Sequence, residues 1–230
     1  AYVINFEAPV RTEGTFPIKK SGPSLYQDQR APQWLIKQGF NLFDCANNHI
    51  CDFGAEALRH TIASIPFHAQ AIGAGSFYEA YSIKNFEVKG KKIGFLALTQ
   101  FEFGIHDEEL TTKDKMAAAW MCHPIVSEII SKAHQQYDIL IVLSHAGLEH
   151  FHLPLPELRT LYRHLVSMGA DAVVASHPHV PQPWEVFQGK PIFYSLGNFC
   201  FDMTVQNRQQ WCNSLLAQLQ IGAGNKIELS

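Results

Sequence analysis

Ala170-Asp171-Ala172-Val173-Val174-Ala175-Ser176-His177-Pro178-His179-Val180 reads as a short apolar strand that ends in two histidines. Imidazole is the commonest metal-ligating side chain. Two histidines spaced i, i+2 share a face if the strand continues, and a turn that curls can aim both at one point. The pair alone is weak evidence, since loop histidines are common and mostly inert. The rest of the chain decides how it is read.

Working outward, strand-like and helix-like patterns alternate. A helix is predicted over 31–39, a buried strand over 41–45, a loop over 47–53 and an amphipathic helix over 54–64. A further strand is expected over 67–72. Strands over 82–88 and 92–98 flank Lys89-Gly90-Lys91, a hairpin signal. The stretch 99–122 has no clear period and reads as an insertion over the surface. Helical spacing returns over 124–135, opened by Pro124. A strongly apolar strand follows over 138–143, then a helix over 155–168 stopped by Gly169. A second hairpin turns at Gly189-Lys190, and a late strand is expected over 215–221. On the two main helices, Ala57, Leu58 and Ile62, and Leu158, Leu161 and Leu165, recur at helical spacing. The fold class is therefore α/β, one domain spanning 1–230, with a mixed central sheet and flanking helices.

Composition is that of an ordinary globular chain: 230 residues, 47% hydrophobic, 17% charged. A net charge of -3 argues against nucleic acid as a partner. No apolar run approaches the ~18 residues of a membrane span. The chain opens at Ala1, inside a strand-like run, so an N-terminal piece is expected to precede it. An anchor could lie there, which leaves cytoplasmic and envelope-associated placements both open. The five cysteines (Cys45, Cys51, Cys122, Cys200, Cys212) have no zinc-motif spacing and read as reduced thiols.

Four segments share one design, in which metal-capable residues follow an apolar strand. Glu7 follows 3–6, Asn48 and His49 follow 42–46, His145 follows 139–143, and His177 and His179 follow 172–175. In open α/β sheets, ligands collect outside the carboxyl ends of strands. These residues are accordingly expected to converge at one rim of the sheet. One carboxylate, one amide oxygen and three imidazoles suit Mn, Fe or Zn better than Ca. Each residue also has a bland reading: Glu7 a solvated carboxylate, Asn47 and Asn48 turn residues, His145 a partly buried histidine bonded to backbone. Glu149, His150 and His152 lie in the loop after His145 and read as a solvated loop or as the lining of a substrate mouth. Closed structural zinc fits poorly, because it favours cysteine-rich sets.

Asn5-Phe6-Glu7, Ala46-Asn47-Asn48-His49 with Asp52 and Gly54, Ser144-His145 with Gly147 and Glu149, Gly169-Ala170-Asp171, His177-Pro178-His179-Val180 and Tyr194-Ser195-Leu196-Gly197-Asn198-Phe199 occur in this order. Together they resemble the CapA-like family of bacterial capsule and poly-γ-glutamate synthesis proteins, within the calcineurin-like metallophosphoesterase superfamily. The likeness runs from Asn5 to about Asp202. It implies a layered metallophosphoesterase-like fold and two divalent ions. It implies Glu7 as a bridging carboxylate, His179 on the first metal, and Asn48, His145 and His177 on the second. His49 would face the substrate oxyanion, with Asp52 orienting it. Asn198 would sit behind the ligands or form a structural turn. The family's opening Gly-Asp strand end is not in this chain. Ala146 stands where the family often has tryptophan, and Ser176 where glycine or histidine is common, departures that bear on pocket shape. The implied activity is a phosphoesterase-type, metal-dependent hydrolase acting on a small-molecule or polymer substrate beside the capsule or poly-γ-glutamate synthesis machinery. The alternative is a non-catalytic polymer-assembly or binding module on the same fold.

Overall fold

The computed structural model describes residues 1–106, 115–201 and 211–229. In chain order the elements are β1 (Val3–Asn5), α1 (Ala31–Lys37), β2 (Leu42–Asp44), α2 (Gly54–Ser64), β3 (Gln70–Ile72), β4 (Ala74–Gly75), α3 (Phe77–Ala80), β5 (Lys84–Val88), β6 (Lys91–Thr99), β7 (Ile105–His106), β8 (Ala117–Ala119), α4 (Ile125–Ala133), β9 (Ile139–His145), α5 (Pro156–Met168), β10 (Ala172–Ser176), β11 (Trp184–Phe187), β12 (Lys190–Phe193), β13 (Leu219–Ile221) and β14 (Ile227–Leu229). The expected α/β alternation is present, with both hairpins turning where predicted. Backbone contacts group the chain into two compact units: Ala1–Phe86 with Leu96–Val126, and Glu87–Phe95 with Ser127–Ser230.

The first unit is built on a parallel sheet, β1-β2-β3. All three residues of β2 are buried, as expected of a central parallel strand covered on both faces. Phe6, Val10, Phe43, Ile50 and Leu58 pack in one apolar cluster. The helix α2 turns Ala57, Leu58 and Thr61 inward, and Ile62 is half-buried against the same cluster. Thr61 is tolerated on the buried face because its hydroxyl donates to Ala57 O (2.6 Å) and accepts from Val10 N (2.8 Å). Both of its bonding capacities are thereby used.

The stretch 99–122 departs from expectation. Its described part is no surface insertion: β7 and β8 join β4 in a small sheet, ordered β4-β8-β7, and Ala117, Ala118 and Ala119 are fully buried. Three consecutive alanines carry no period for a pattern reading to detect, yet their small side chains let neighbouring backbone come close. Residues 107–114 lie outside the described part.

The second unit contains the strand order β11-β12-β10-β9, continued by β6 and β5. The strand β10 pairs in parallel with both β9 and β12, whereas β11 and β12 form an antiparallel hairpin. The sheet is mixed, as expected. Every residue of β9 is buried. The helix α5 begins with proline at its first turn and ends at Gly169, whose φ of 135° suits a residue without Cβ. It buries Tyr162, Leu165 and Val166, while Leu158 and Leu161 are half-buried.

One glycine limits how the first unit closes. Gly73 joins β3 to β4 at φ +83°, and a Cβ there would stand 2.5 Å from Ala46 Cβ and 2.8 Å from Ala97 Cβ. Gly73→Ala therefore combines left-handed strain with overpacking. A loss of about 2–4 kcal/mol is expected, read as a lower urea midpoint at unchanged m-value.

Candidate functional site

In the first unit the candidate residues lie just past β1 and β2. The last residue of β2, Asp44, accepts from Ala46 N (2.9 Å) and turns the chain at once. Asn47 then accepts from His49 N (3.2 Å) and donates to Phe6 O (3.1 Å). Asn47 is the turn residue, and it fastens the loop to the backbone beside Glu7. Asn5 Nδ2 donates to Glu7 Oε2 (3.2 Å). Ala8 follows Glu7 at φ 83°, a left-handed conformation uncommon for a residue with Cβ. Asn48 and His49 are buried.

His49 Nδ1 donates to Asp52 Oδ2 at 2.7 Å, the arrangement expected of an aspartate that orients a histidine. Asp52 Oδ2 also accepts from Leu25 N (2.7 Å). Asp52 Oδ1 pairs with Lys20, a partner that pattern reading missed. Lys20 follows another lysine in a Gly- and Pro-containing stretch, which reads as solvated loop. The one available signal was indirect: a buried carboxylate needs a cation or several donors.

Burial governs the other ionisable groups here. It lifts the Asp44 carboxyl to about 7. It lifts the Cys51 thiol to about 12, with the Asp52 charge adding to the effect, and Cys45 also rises. Thiols held protonated and buried are poor nucleophiles, which suits a packing role for both cysteines.

In the second unit, β9 and β10 run in parallel with Ser176 opposite His145. His145 is the last residue of β9 and His177 the first beyond β10. His177 Nδ1 and His145 Nε2 stand 3.1 Å apart. His179 Nδ1 meets Asn198 Oδ1 at 2.8 Å. An amide oxygen only accepts, so Nδ1 carries the proton and Nε2 is the nitrogen with ligating capacity. Asn198 Nδ2 donates back to His179 O (3.3 Å) and to Trp211 O (3.4 Å), so this asparagine braces the histidine. The Trp211 ring stacks on the His179 ring at 5.0 Å and 11°. Both His177 (φ 104°) and His179 (φ 59°) have left-handed backbone, each costing on the order of 1–3 kcal/mol. Gly147, at φ +142°, gives the chain after His145 its close passage: a Cβ there would stand 2.8 Å from Pro178 Cγ. Beneath the strand ends, Ser144 Oγ and the buried Tyr162 hydroxyl are hydrogen-bonded at 2.8 Å. Glu149, His150 and His152 are exposed, yet the His150 ring lies 4.9 Å from the Trp211 ring and 6.3 Å from the His179 ring, so His150 stands beside the His179 imidazole.

The donor chemistry can be compared with a divalent ion. Two imidazoles on one ion, with metal–nitrogen bonds of about 2.0–2.1 Å, place their nitrogens about 2.8–3.4 Å apart across octahedral to tetrahedral angles. The His145–His177 separation of 3.1 Å fits such a pair. Among the described residues, no group of three or more His, Cys, Asp or Glu is gathered as a metal-holding set.

Strand ends bearing histidine, with braced imidazoles and strained backbone, define an α/β protein with a candidate ligand-binding rim. The sequence profile of the bacterial capsule synthesis protein PGA_cap matches residues 1–203, and the chain belongs to that family. It is 31% identical over 207 residues to the capsule biosynthesis protein CapA of Bacillus anthracis, covering 86% of this chain and 49% of that protein. It is 32% identical over 202 residues to the PGA biosynthesis protein CapA of Bacillus subtilis (strain 168), covering 86% and 52%. The chain thus spans about half the length of these relatives. Among solved structures, the calcineurin-like phosphoesterase YfkN from Bacillus subtilis has a TM-score of 0.48 at 15% identity, covering 71% of this chain and 56% of that one. Among the described residues, no helix is long and apolar enough to cross a membrane.

Asp44 supplies a prediction. A folded-state value raised above the unfolded one means the native state holds its proton longer. Stability from this group is then greatest below pH ~4 and falls as pH rises to about 7. The lift from an ordinary 3.8 to about 7 bounds the loss at roughly 4 kcal/mol. Asp44→Asn has no charge to desolvate and can still accept from Ala46 N. It should exceed wild type in urea midpoint at pH 8, with the difference closing near pH 4.

Proposed function

We propose that this chain is a phosphoesterase-type, metal-dependent hydrolase serving bacterial capsule or poly-γ-glutamate synthesis. On this reading the whole of 1–230 is a single CapA-like metallophosphoesterase domain. The observation that carries the reading is the His145–His177 nitrogen pair at 3.1 Å, with His177 itself and the neighbouring His179 both in strained backbone. Such strain persists only where surrounding structure holds it, and it clusters at functional sites.

Glu7 and Asn48 in the first unit, and His145, His177 and His179 in the second, would ligate divalent ions drawn from Mn, Fe and Zn. When bound, the ions supply Lewis acidity and stabilise negative charge developing on the attacked group. The chain's own residues do the rest. Asn198 keeps His179 in one tautomer and presents its Nε2. Asp52 holds His49 by Nδ1, which directs Nε2 to the reaction. From there His49 either protonates the leaving oxygen or stabilises charge on it. The substrate class is a phosphoester, a sugar phosphate or a γ-glutamyl polymer.

The test uses full-length protein loaded with Mn, metal analysis, and a broad panel of phosphoesters and γ-glutamyl substrates. His177→Ala should lose bound metal and abolish hydrolysis while keeping its circular dichroism spectrum. His49→Ala should keep its metal and lose turnover by ~10²–10⁴-fold, the usual size of a general acid–base contribution. Equal metal loss in both variants contradicts the role given to His49. A fully metallated wild type inert across the panel favours the non-catalytic polymer-assembly module.

A further inference from the structure

Lysine is almost never fully buried unless paired, yet the Lys20 side chain is 3% exposed and the Asp52 side chain it meets is 0% exposed. Lys20 Nζ pairs with Asp52 Oδ1 and lies 3.1 Å from His49 Nδ1. The ring of Phe103 lies 5.6 Å from the same ammonium, within cation–π range. The two oxygens of Asp52 have divided duties. Oδ1 serves Lys20, while Oδ2 receives Leu25 N–H and His49 Nδ1–H, both at 2.7 Å.

We propose that Lys20 is a positioning residue for His49, acting through Asp52. With Lys20 on Oδ1, the carboxylate cannot turn about its Cβ–Cγ bond without breaking an ion pair in a site that water barely reaches. Oδ2 is thereby fixed on Nδ1, and the imidazole is held in one plane and one tautomer. Lys20 is itself too buried to meet a substrate. A purely structural duty, tethering residues 18–25, is already discharged by other bonds: Ile18 N donates to Asp52 O (2.8 Å) and Leu25 N to Asp52 Oδ2. Neither involves the lysine. The inference rests on the reading of His49 as the group that meets the substrate, but its test also has a readout independent of turnover.

The test compares Lys20→Met and Lys20→Arg with wild type in the full-length protein. The first readout is the side-chain Nδ1–H resonance of His49 in 15N-resolved NMR, assigned by its disappearance in His49→Gln. The second is kcat against KM on whichever substrate the panel yields. Lys20→Met should lose the slowly exchanging Nδ1–H signal and lower kcat about 10²-fold, the scale of a misplacement near 1 Å, with KM little changed. Lys20→Arg, which keeps the charge, should retain the signal and recover most of kcat. Should Lys20→Met fail to fold, Lys20→Gln, which keeps Asp52 intact, takes its place and should lose the signal as well. A folded charge-free variant that keeps the wild-type Nδ1–H signal overturns the proposal. Signal loss in a protein whose wild type hydrolyses nothing supports the positioning role and sinks the hydrolase reading. A retained signal in an active protein does the reverse.

Discussion

The parallel pairing of β9 with β10 is the constraint from which the second unit's candidate site follows. In a parallel pair both strands finish at the same edge, and the register sets which residues finish together. Ser176 stands opposite His145, so the next residue, His177, can reach that imidazole. A one-residue slip would turn each side chain of one strand to the opposite face and separate the two nitrogens. The register is itself held by burial, since β9 is apolar through Leu143 and lies inside the fold along its whole length. Hydrophobic packing along the strands thus sets the geometry of polar groups at their ends.

A different economy operates in the first unit, where polar side chains replace a secondary-structure ladder beyond β2. Asp44, Asn47 and Asp52 each bond to backbone amides or carbonyls within a few residues or in a neighbouring segment. Buried backbone groups need such partners, and a loop can be interior only if side chains provide them. Asp44 combines this role with a carboxyl that burial keeps close to neutral at ordinary pH, whereas Asp52 is matched with a cation. Two aspartates eight positions apart in sequence thus meet burial in opposite ways.

Legibility in the sequence followed the size of the side chains. Runs such as Ile139-Leu140-Ile141-Val142-Leu143 and the helical spacing of Leu158, Leu161 and Leu165 announce their elements because large apolar groups recur at a fixed period. Ala117-Ala118-Ala119 forms an equally buried strand without such a signal, because residues this small leave no apolar period to read. Candidate ligands were visible because histidine after an apolar run is an uncommon arrangement. The links among polar groups were visible only in part. The Asp52–His49 contact spans three positions and lies within reach of a local reading. Lys20 meets Asp52 across 32 positions, and nothing in a single sequence marks a distant lysine as the partner of a particular aspartate. Asn198 is an intermediate case: its stretch was recognised, but its bond to His179 depends on a turn whose path the sequence does not specify.

The left-handed backbone at His177 and His179 bears on how this protein would respond to selection for robustness alone. Glycine at 177, or asparagine or glycine at 179, would adopt those angles with less strain, so a thermal-tolerance screen blind to function should enrich such replacements. Each would erase an imidazole. On the proposed role of these imidazoles, laboratory evolution toward heat resistance would tend to disarm the molecule, and histidine at these two positions in a hardened variant would mark a lineage still under pressure to use them.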